Sequence, residues 1–168
     1  MRRIFILLFV LLLTMLQLGV ISHLEFLSGK IDLLMLGLIG WIIQKRVNLL
    51  EIGIFAASAL FAMLLISAEP ILIVLLVYIL IILVVYWSKY NIQQLPIVTM
   101  LIFSGLFTFI HLFIFGFYLR VSGVDMVAGE VFQQVILPSI IINIIIGIPM
   151  FLLTNELYHW VHPYAEEE

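Results

Sequence analysis

The sequence contains no cysteine among its 168 residues, and few of its residues carry charge. Without cysteine the chain has no disulfide, no thiolate nucleophile, no iron–sulfur ligand and no cysteine-based zinc site. Charged residues make up 10% of the chain, whereas ordinary globular domains carry about 25%. Hydrophobic residues make up 65%, a balance that no water-soluble core explains, and we therefore expect an integral membrane protein.

Short motifs that support catalysis are missing as well. The sequence has no Gly-x-Ser-x-Gly, no His-Glu-x-x-His, no glycine-rich phosphate loop and no pair of aspartates within an apolar run. His159 and His162 have the spacing of a metal pair, but Pro163 follows and no third ligand is nearby. We therefore expect a protein that is not an enzyme and that binds no cofactor, metal or nucleic acid.

Six apolar runs, separated by short polar segments, take up most of the chain. A transmembrane helix needs about 20 residues, so the second run is short and the fourth is marginal, while the other four suffice. The second helix must borrow flanking residues or thin the bilayer locally. The sequence predicts an all-α, six-helix transmembrane bundle that forms a single domain, 1–168. The predicted spans are 4–24, 31–44, 49–67, 71–87, 96–119 and 135–153.

The distribution of basic residues predicts the orientation of this bundle. Cytoplasmic loops are enriched in lysine and arginine near the helix ends. With both termini in the cytoplasm, five of the seven basic residues lie inside and two lie outside. The inner group is Arg2, Arg3, Lys45, Arg46 and Lys89, and the outer pair is Lys30 and Arg120.

The third and fourth runs differ in the side chains that they offer to neighbouring helices. The third run has small residues four apart at Gly53/Ala57 and Ser58/Ala62, a spacing that lets helix backbones approach closely. The fourth run is bulky on every side, and we expect it to face lipid or a partner helix. The longest connection, 120–134, starts with a turn-like segment and is predicted to continue as an interfacial helix.

His111 is the main ionisable residue within an apolar run. Ser104, Thr108 and His111 are spaced four and three apart and form a polar stripe on one helix face. One interpretation is a proton-sensitive or ligand-binding group, and the other is a neutral histidine that bonds across a helix interface. The second is favoured, because no carboxylate accompanies His111 within the apolar runs.

The sixth run carries the most distinctive polar pattern. Ser139, Asn143 and Gly147 repeat every four residues between Pro138 and Pro149. Pro138 is predicted to lie at the helix start, where a missing N–H is harmless, and Pro149 is predicted to kink the helix. Asn143 is predicted to donate and accept hydrogen bonds across a helix interface, with structural packing as the favoured role.

Further polar and small residues mark the first two runs. Gln17 gives the first helix a polar spot, while Gly37 and Gly40 give the second helix a smooth seam. Charged residues flank the second and third runs, and we expect all of them to be solvated at the helix ends. These are Lys30, Asp32, Glu51 and Glu69.

Three patches of the sequence resemble MreD, the bacterial rod shape-determining membrane protein family. Residues 135–143 and 147–153 look like the last helix of that family. Gln17 fits the end of its first helix, and 30–34 fits the element that opens its second helix. Ile31 replaces a common proline there. The third run departs from the family pattern of spaced glycines and an acidic residue, with Ala57, Ala59, Ala62 and Met63 at the corresponding positions.

The resemblance implies a non-enzymatic component of the cell-elongation machinery in the bacterial inner membrane. Such a protein holds an MreC-like single-span protein and helps to couple MreB filaments to elongation-specific peptidoglycan synthases. Its surroundings are membrane lipid. The candidate partner-binding or helix-packing residues are Gln17, Asp32, Gly37, Gly40, His111, Pro138, Asn143, Gly147 and Pro149.

The family's bundle is also similar to the substrate-binding subunits of energy-coupling-factor vitamin transporters. This similarity supplies the alternative hypothesis, a small-molecule binding subunit of a membrane transporter. In that case His111, Thr108, Asn143 and Gln17 would line a pocket near the outer leaflet.

Overall fold

A computed structural model describes residues 2–19, 29–89 and 95–162 of the chain, and its regular structure is helical. A π-helical segment, Phe132–Ile136, joins the sixth helix to the seventh without a break. The helices are α1 Arg2–Gly19, α2 Leu33–Ile43, α3 Leu49–Ile66, α4 Ile71–Ser88, α5 Pro96–Val121, α6 Ala128–Val131 and α7 Leu137–Val161.

Five helical stretches are long and apolar enough to cross a membrane, which makes the chain a multi-pass membrane protein. They are α1, α3, α4, α5 and the continuous stretch Ala128–Val161. The second predicted run forms a shorter apolar helix, α2, of 11 residues. Residues 20–24 of the first predicted span lie outside the described part of the chain.

The last helix differs most from its predicted bounds of 135–153. It begins at Ala128 and continues to Val161. Pro138 lies in the first turn of α7, as predicted, but the π-helical segment precedes α7 without a break, so the helical stretch begins at Ala128. The part of the connection that was predicted to be helical is helical from Ala128, and α6 and the π-helical segment continue into α7 without a break.

α2 lies at the centre of the bundle. Every residue from Leu33 to Ile42 is buried, and the helix contacts α1, α3, α4, α5 and α7. A helix that is apolar all round is stable where other helices surround it. At a rise of 1.5 Å per residue, α2 is about 16 Å long, against about 27 Å for the 18-residue α4 beside it. α2 is therefore shorter than the neighbouring α4 and than a helix that spans the bilayer.

Gly37 and Gly40 let other helices approach α2 closely. A Cβ atom at Gly37 would lie 2.6 Å from Cδ1 of Leu13, and one at Gly40 would lie 2.7 Å from Oγ1 of Thr154. Farther along the same core, the rings of Phe9, Trp41 and Phe55 pack with centroids 6.0–6.5 Å apart. These contacts join α1, α3 and α7 to the central helix.

The packed face of α3 agrees with the prediction at Ala62 and differs from it at Gly53 and Ala57. Ala56, Ala59 and Ala62 are buried, whereas Ala57 is exposed and a Cβ at Gly53 would have nothing within 4 Å. Small residues at Gly53 and Ala57 therefore face outwards, and the three buried alanines make the close approach to the core. Sequence spacing alone fits either face.

We predict that Gly40→Ala lowers the stability of the protein, while Gly53→Ala leaves it unchanged or slightly higher. Alanine favours a helix over glycine by about 1 kcal/mol at both positions. At Gly40 the added methyl group meets Thr154, and such overpacking costs about 1–3 kcal/mol. Thermal unfolding in mild detergent measures both variants. Equal unfolding midpoints for Gly40→Ala and Gly53→Ala would contradict the packing described for α2.

Candidate functional site at the start of the central helix

The short segment before α2 is non-helical, and α7 supplies hydrogen bonds to its backbone. The amide N–H of Lys30 donates to Oγ of Ser139 at 2.7 Å. The side chain of Asn143 donates through Nδ2 to the carbonyl oxygen of Lys30 at 3.0 Å and accepts from the N–H of Asp32 at 3.2 Å. Irregular backbone at membrane depth is tolerated only where protein or enclosed water satisfies it. Asn143 and Ser139 meet that requirement here.

Gly29 allows this segment to lie directly against α7. A Cβ atom at this position would come within 2.9 Å of the backbone nitrogen of Ser139 and 3.0 Å of the carbonyl carbon of Pro138. Backbone atoms cannot rotate away as a side chain can, so any larger residue would push the segment off the helix. The hydrogen bonds from Ser139 and Asn143 depend on this close approach.

The first turn of α2 is capped by two further side chains. The N–H of Leu33 donates to Oε1 of Gln17 at 3.1 Å, and the N–H of Met35 donates to Oδ1 of Asp32 at 2.9 Å. The first four N–H groups of a helix lack partners within the helix, and a negative charge at this end also interacts favourably with the helix dipole. Asp32 is therefore the N-cap of α2, and Gln17 completes the cap from α1.

Four ionisable side chains meet beside this capped helix start. Nε2 of His111 lies 2.9 Å from Oε2 of Glu69, and its Nδ1 lies 3.8 Å from Oδ2 of Asp32. Nζ of Lys30 pairs with the other oxygen of Glu69. Only 3% of the His111 and Asp32 side chains is exposed. We call Lys30, Asp32, Glu69 and His111 the polar cluster.

The polar cluster corrects the expectation that charged residues at the helix ends are solvated. Asp32 is 2% exposed and Glu51 is 6% exposed, while 8% of the Glu69 side chain and 31% of the Lys30 side chain are exposed. The expectation that no carboxylate accompanies His111 was wrong as well. Asp32 lies at the start of the second predicted span, 31–44, and Glu69 lies between the third and fourth spans, so only the fold brings them to His111.

The charges around Glu69 favour its ionised form. Burial raises the pKa of the carboxyl, but the hydrogen bond with His111 and the charge of Lys30 outweigh burial and lower the pKa from 4.5 to about 2. Glu69 therefore joins three parts of the fold as a carboxylate: the α3–α4 connection, the segment before α2, and α5.

The other predicted polar positions have local partners. Thr108 donates to the carbonyl oxygen of Ser104 at 2.7 Å, so its hydroxyl is used within its own helix. A Cβ at Gly147 would lie 3.5 Å from Oγ of Ser104, which places α7 against α5. Pro149 is exposed, and α7 continues through it to Val161. The structure thus brings together Gln17, Asp32, His111 and Asn143, while Pro149 lies apart.

A second group of buried charges lies at the opposite end of the bundle, and sequence reasoning did not anticipate it. Nε2 of His162 lies 3.6 Å from Oε1 of Glu51, and the rings of His162 and Tyr158 stack 4.7 Å apart. Burial lowers the pKa of the Lys89 amine, while the charge of Glu51 opposes that shift. These residues join the ends of α3, α4 and α7.

Five buried polar atoms have no hydrogen-bond partner among the described residues. One of them, Oδ2 of Asp32, is in the polar cluster, and another, the hydroxyl of Tyr78, is within electrostatic range of it. A buried polar group without a partner has a desolvation cost of about 1–3 kcal/mol, and no hydrogen bond to the described residues offsets that cost here. The others are Nε1 of Trp41, Oε2 of Glu51 and Nδ1 of His162.

Neither metal-binding geometry nor a known relative defines this site. Within 2–19, 29–89 and 95–162, no three His, Asp or Glu side chains are grouped so that they could hold a metal ion. No protein-family model matches the chain, and no curated protein or solved structure matches it. What the site does follows from its own geometry, which holds the start of α2.

We predict that Asn143→Leu lowers the free energy of unfolding by about 1–3 kcal/mol, because it leaves two buried backbone groups without partners. Asn143→Gln keeps both polar atoms and should be partly tolerated. Asn155→Leu, the same change at a partly exposed position of α7, serves as the control. Thermal unfolding in mild detergent compares the three. Equal effects of the two leucine variants would show that Asn143 does not hold the segment before α2.

We predict that Glu69→Gln is less stable than the wild type at neutral pH and that the difference disappears in acid. A carboxyl whose pKa is depressed in the folded state stabilises it above the unfolded value of 4.5, and this contribution is lost as the pH falls to about 2. Unfolding midpoints between about pH 7 and about pH 2 test this, with the exposed Glu156→Gln as the control. A difference that stays constant over this range would contradict the prediction.

Proposed function

We propose that the chain is a non-enzymatic scaffold of the MreD type, a component of the bacterial cell-elongation complex in the inner membrane. It binds a single-span MreC-like protein and links MreB filaments to elongation-specific peptidoglycan synthases. The short α2 counts as the sixth transmembrane helix, and both termini lie in the cytoplasm. The polar cluster then lies towards the outer face of the membrane.

The observation that carries this proposal is the convergence of the three patches that resemble MreD. Gln17, residues 30–34 and residues 135–143 are far apart in sequence and meet at the start of α2. Gln17 bonds to the N–H of Leu33, and Asn143 bonds on both sides of the segment before the helix. Three matching patches that contact one another at the start of α2 support a resemblance to MreD better than three separate matches of apolar sequence do.

The use of polar groups favours a scaffold over a transporter. Both polar atoms of Asn143 and the acceptor of Gln17 bond to the chain's own backbone, and the hydroxyl of Thr108 bonds within α5. These are the residues that a vitamin-binding pocket would need for its ligand. Since most of them are already engaged in folding, they offer few free donors to a polar solute.

The outward surface of the helices suits lateral contact with lipid or another apolar helix. On α4, Leu72 is 74% exposed, Leu83 is 65% exposed and Trp87 is 75% exposed. One side of α4 packs in the core through Val77, Tyr78 and Ile81, so the bulky sequence serves both faces. The exposed side is bulky and apolar, and in this proposal it faces lipid or the partner helix.

One observation favours the alternative, a vitamin-type binding subunit of a transporter. Oδ2 of Asp32 and the hydroxyl of Tyr78 are buried without partners in the described structure. A small polar ligand near the polar cluster would satisfy such groups. The two candidate functions therefore differ in whether the purified protein retains a small molecule or a protein partner.

We predict that the tagged chain co-purifies with a single-span MreC-like protein after gentle detergent extraction, and that its depletion changes rod shape. A tagged multi-pass protein of the same membrane is the control for nonspecific recovery. Native mass spectrometry of the same sample distinguishes the alternative, since a retained vitamin-sized ligand supports transport. Recovery without a single-span partner, together with unchanged cell shape on depletion, would overturn the scaffold proposal.

A further inference from the structure

The ring of His111 lies between two carboxylates, one at each nitrogen. Its Nε2 is at hydrogen-bond distance from Glu69, 2.9 Å, whereas its Nδ1 is 3.8 Å from Oδ2 of Asp32. The second distance is too long for a hydrogen bond. Nδ1 therefore faces Asp32 without a hydrogen bond to it.

The protonation state of the ring decides what this second contact can be. A neutral imidazole carries one N–H, and if that hydrogen points to Glu69 the lone pair of Nδ1 faces the oxygen of Asp32. Two acceptors then oppose each other across 3.8 Å. A doubly protonated ring donates from both nitrogens, and a movement of about 1 Å would close a charge-assisted hydrogen bond to Asp32.

The charges around His111 balance only when the ring carries a second proton. With a neutral ring, the polar cluster has the two carboxylates of Asp32 and Glu69 against the single ammonium of Lys30, which already pairs with Glu69. One proton on His111 gives two positive and two negative charges. Buried charges are stable when they are paired, so this proton removes an imbalance next to apolar helices.

The other groups around the ring do not supply that charge. Tyr78 of α4 is buried and within electrostatic range of Asp32 and Glu69, but its hydroxyl is neutral at ordinary pH. α7 contributes the uncharged Ser139 and Asn143 to the adjoining segment. Gln17, from α1, is also uncharged.

We propose that His111 is a proton-binding site that fastens the start of α2 and the α3–α4 connection to α5 when it is charged. The doubly protonated ring donates to Asp32 from Nδ1 and to Glu69 from Nε2. Release of the Nδ1 proton leaves two acceptors facing each other at Nδ1. Because the protonated form makes the additional bond, this stabilisation is present at low pH and is lost as the pH rises. The inference does not depend on the identity of any protein partner.

Histidine ring NMR of the full chain, in micelles and labelled with ¹⁵N at its four histidines, tests the protonation directly. His111→Gln identifies the His111 signals by their loss. The expected result is a doubly protonated His111 ring in the folded protein at the acid end of the titration, which loses a proton as the pH rises. A ring that stays singly protonated over the whole pH range in which the protein is folded would overturn the proposal.

Stability and hydrogen exchange over the same pH range test the fastening. As the ring loses its proton, the unfolding midpoint should fall by about 2–4 °C and amide exchange in 66–71 should accelerate. Asp32→Asn keeps an acceptor for the N-cap but removes the charge, so it should abolish this dependence, while His159→Gln should retain it. The proposal would be overturned if His111 titrated without a change in the unfolding midpoint or in amide exchange. It would also be overturned if Asp32→Asn kept the same pH dependence, a result that does not require His111→Gln to fold.

Discussion

A central helix that is too short to cross the bilayer sets the main constraint on this protein. α2 has 11 residues and a length of about 16 Å, whereas the hydrocarbon core of a membrane is about 30 Å thick. The chain must therefore enter this helix as irregular backbone inside the bundle, where water is scarce. Every N–H and C=O of that entry needs a partner from the protein. Ser139, Asn143 and Gln17 supply partners from two other helices.

The same constraint explains why buried charges occur in so apolar a chain. An aspartate at the N-cap satisfies the N–H of Met35 and the helix dipole, but it brings a negative charge to a position that is 2% exposed. That charge is stable only with positive or hydrogen-bonding groups nearby. His111 lies beside Asp32, and Glu69 holds the ring in place while it pairs with Lys30. The polar cluster is thus a consequence of capping a buried helix with Asp32.

Hydrophobic length predicted the helices well, because an apolar run must be helical at membrane depth. The starts of α3, α4 and α5 agree with prediction, and their ends lie within about two residues of it. The bounds fail at the last helix, where residues 154–161 mix polar and apolar side chains and periodicity gives no signal to stop or continue. The polar cluster was missed for another reason. Glu69 and His111 are 42 residues apart, and only the packing of α4 against α5 brings them together.

Asp32 differs from the other buried polar residues of the site, because its contacts do not fully offset its burial. The side chains of Gln17 and Asn143 hydrogen-bond to backbone groups, which offsets the cost of burying them. Oδ2 of Asp32 receives no hydrogen bond, although an asparagine could cap α2 without the burden of a charge. The ring of His111 faces that oxygen, and a second ring proton would supply the hydrogen bond that Oδ2 lacks. The cap and the proton site therefore share one residue, which couples the position of the central helix to acidity.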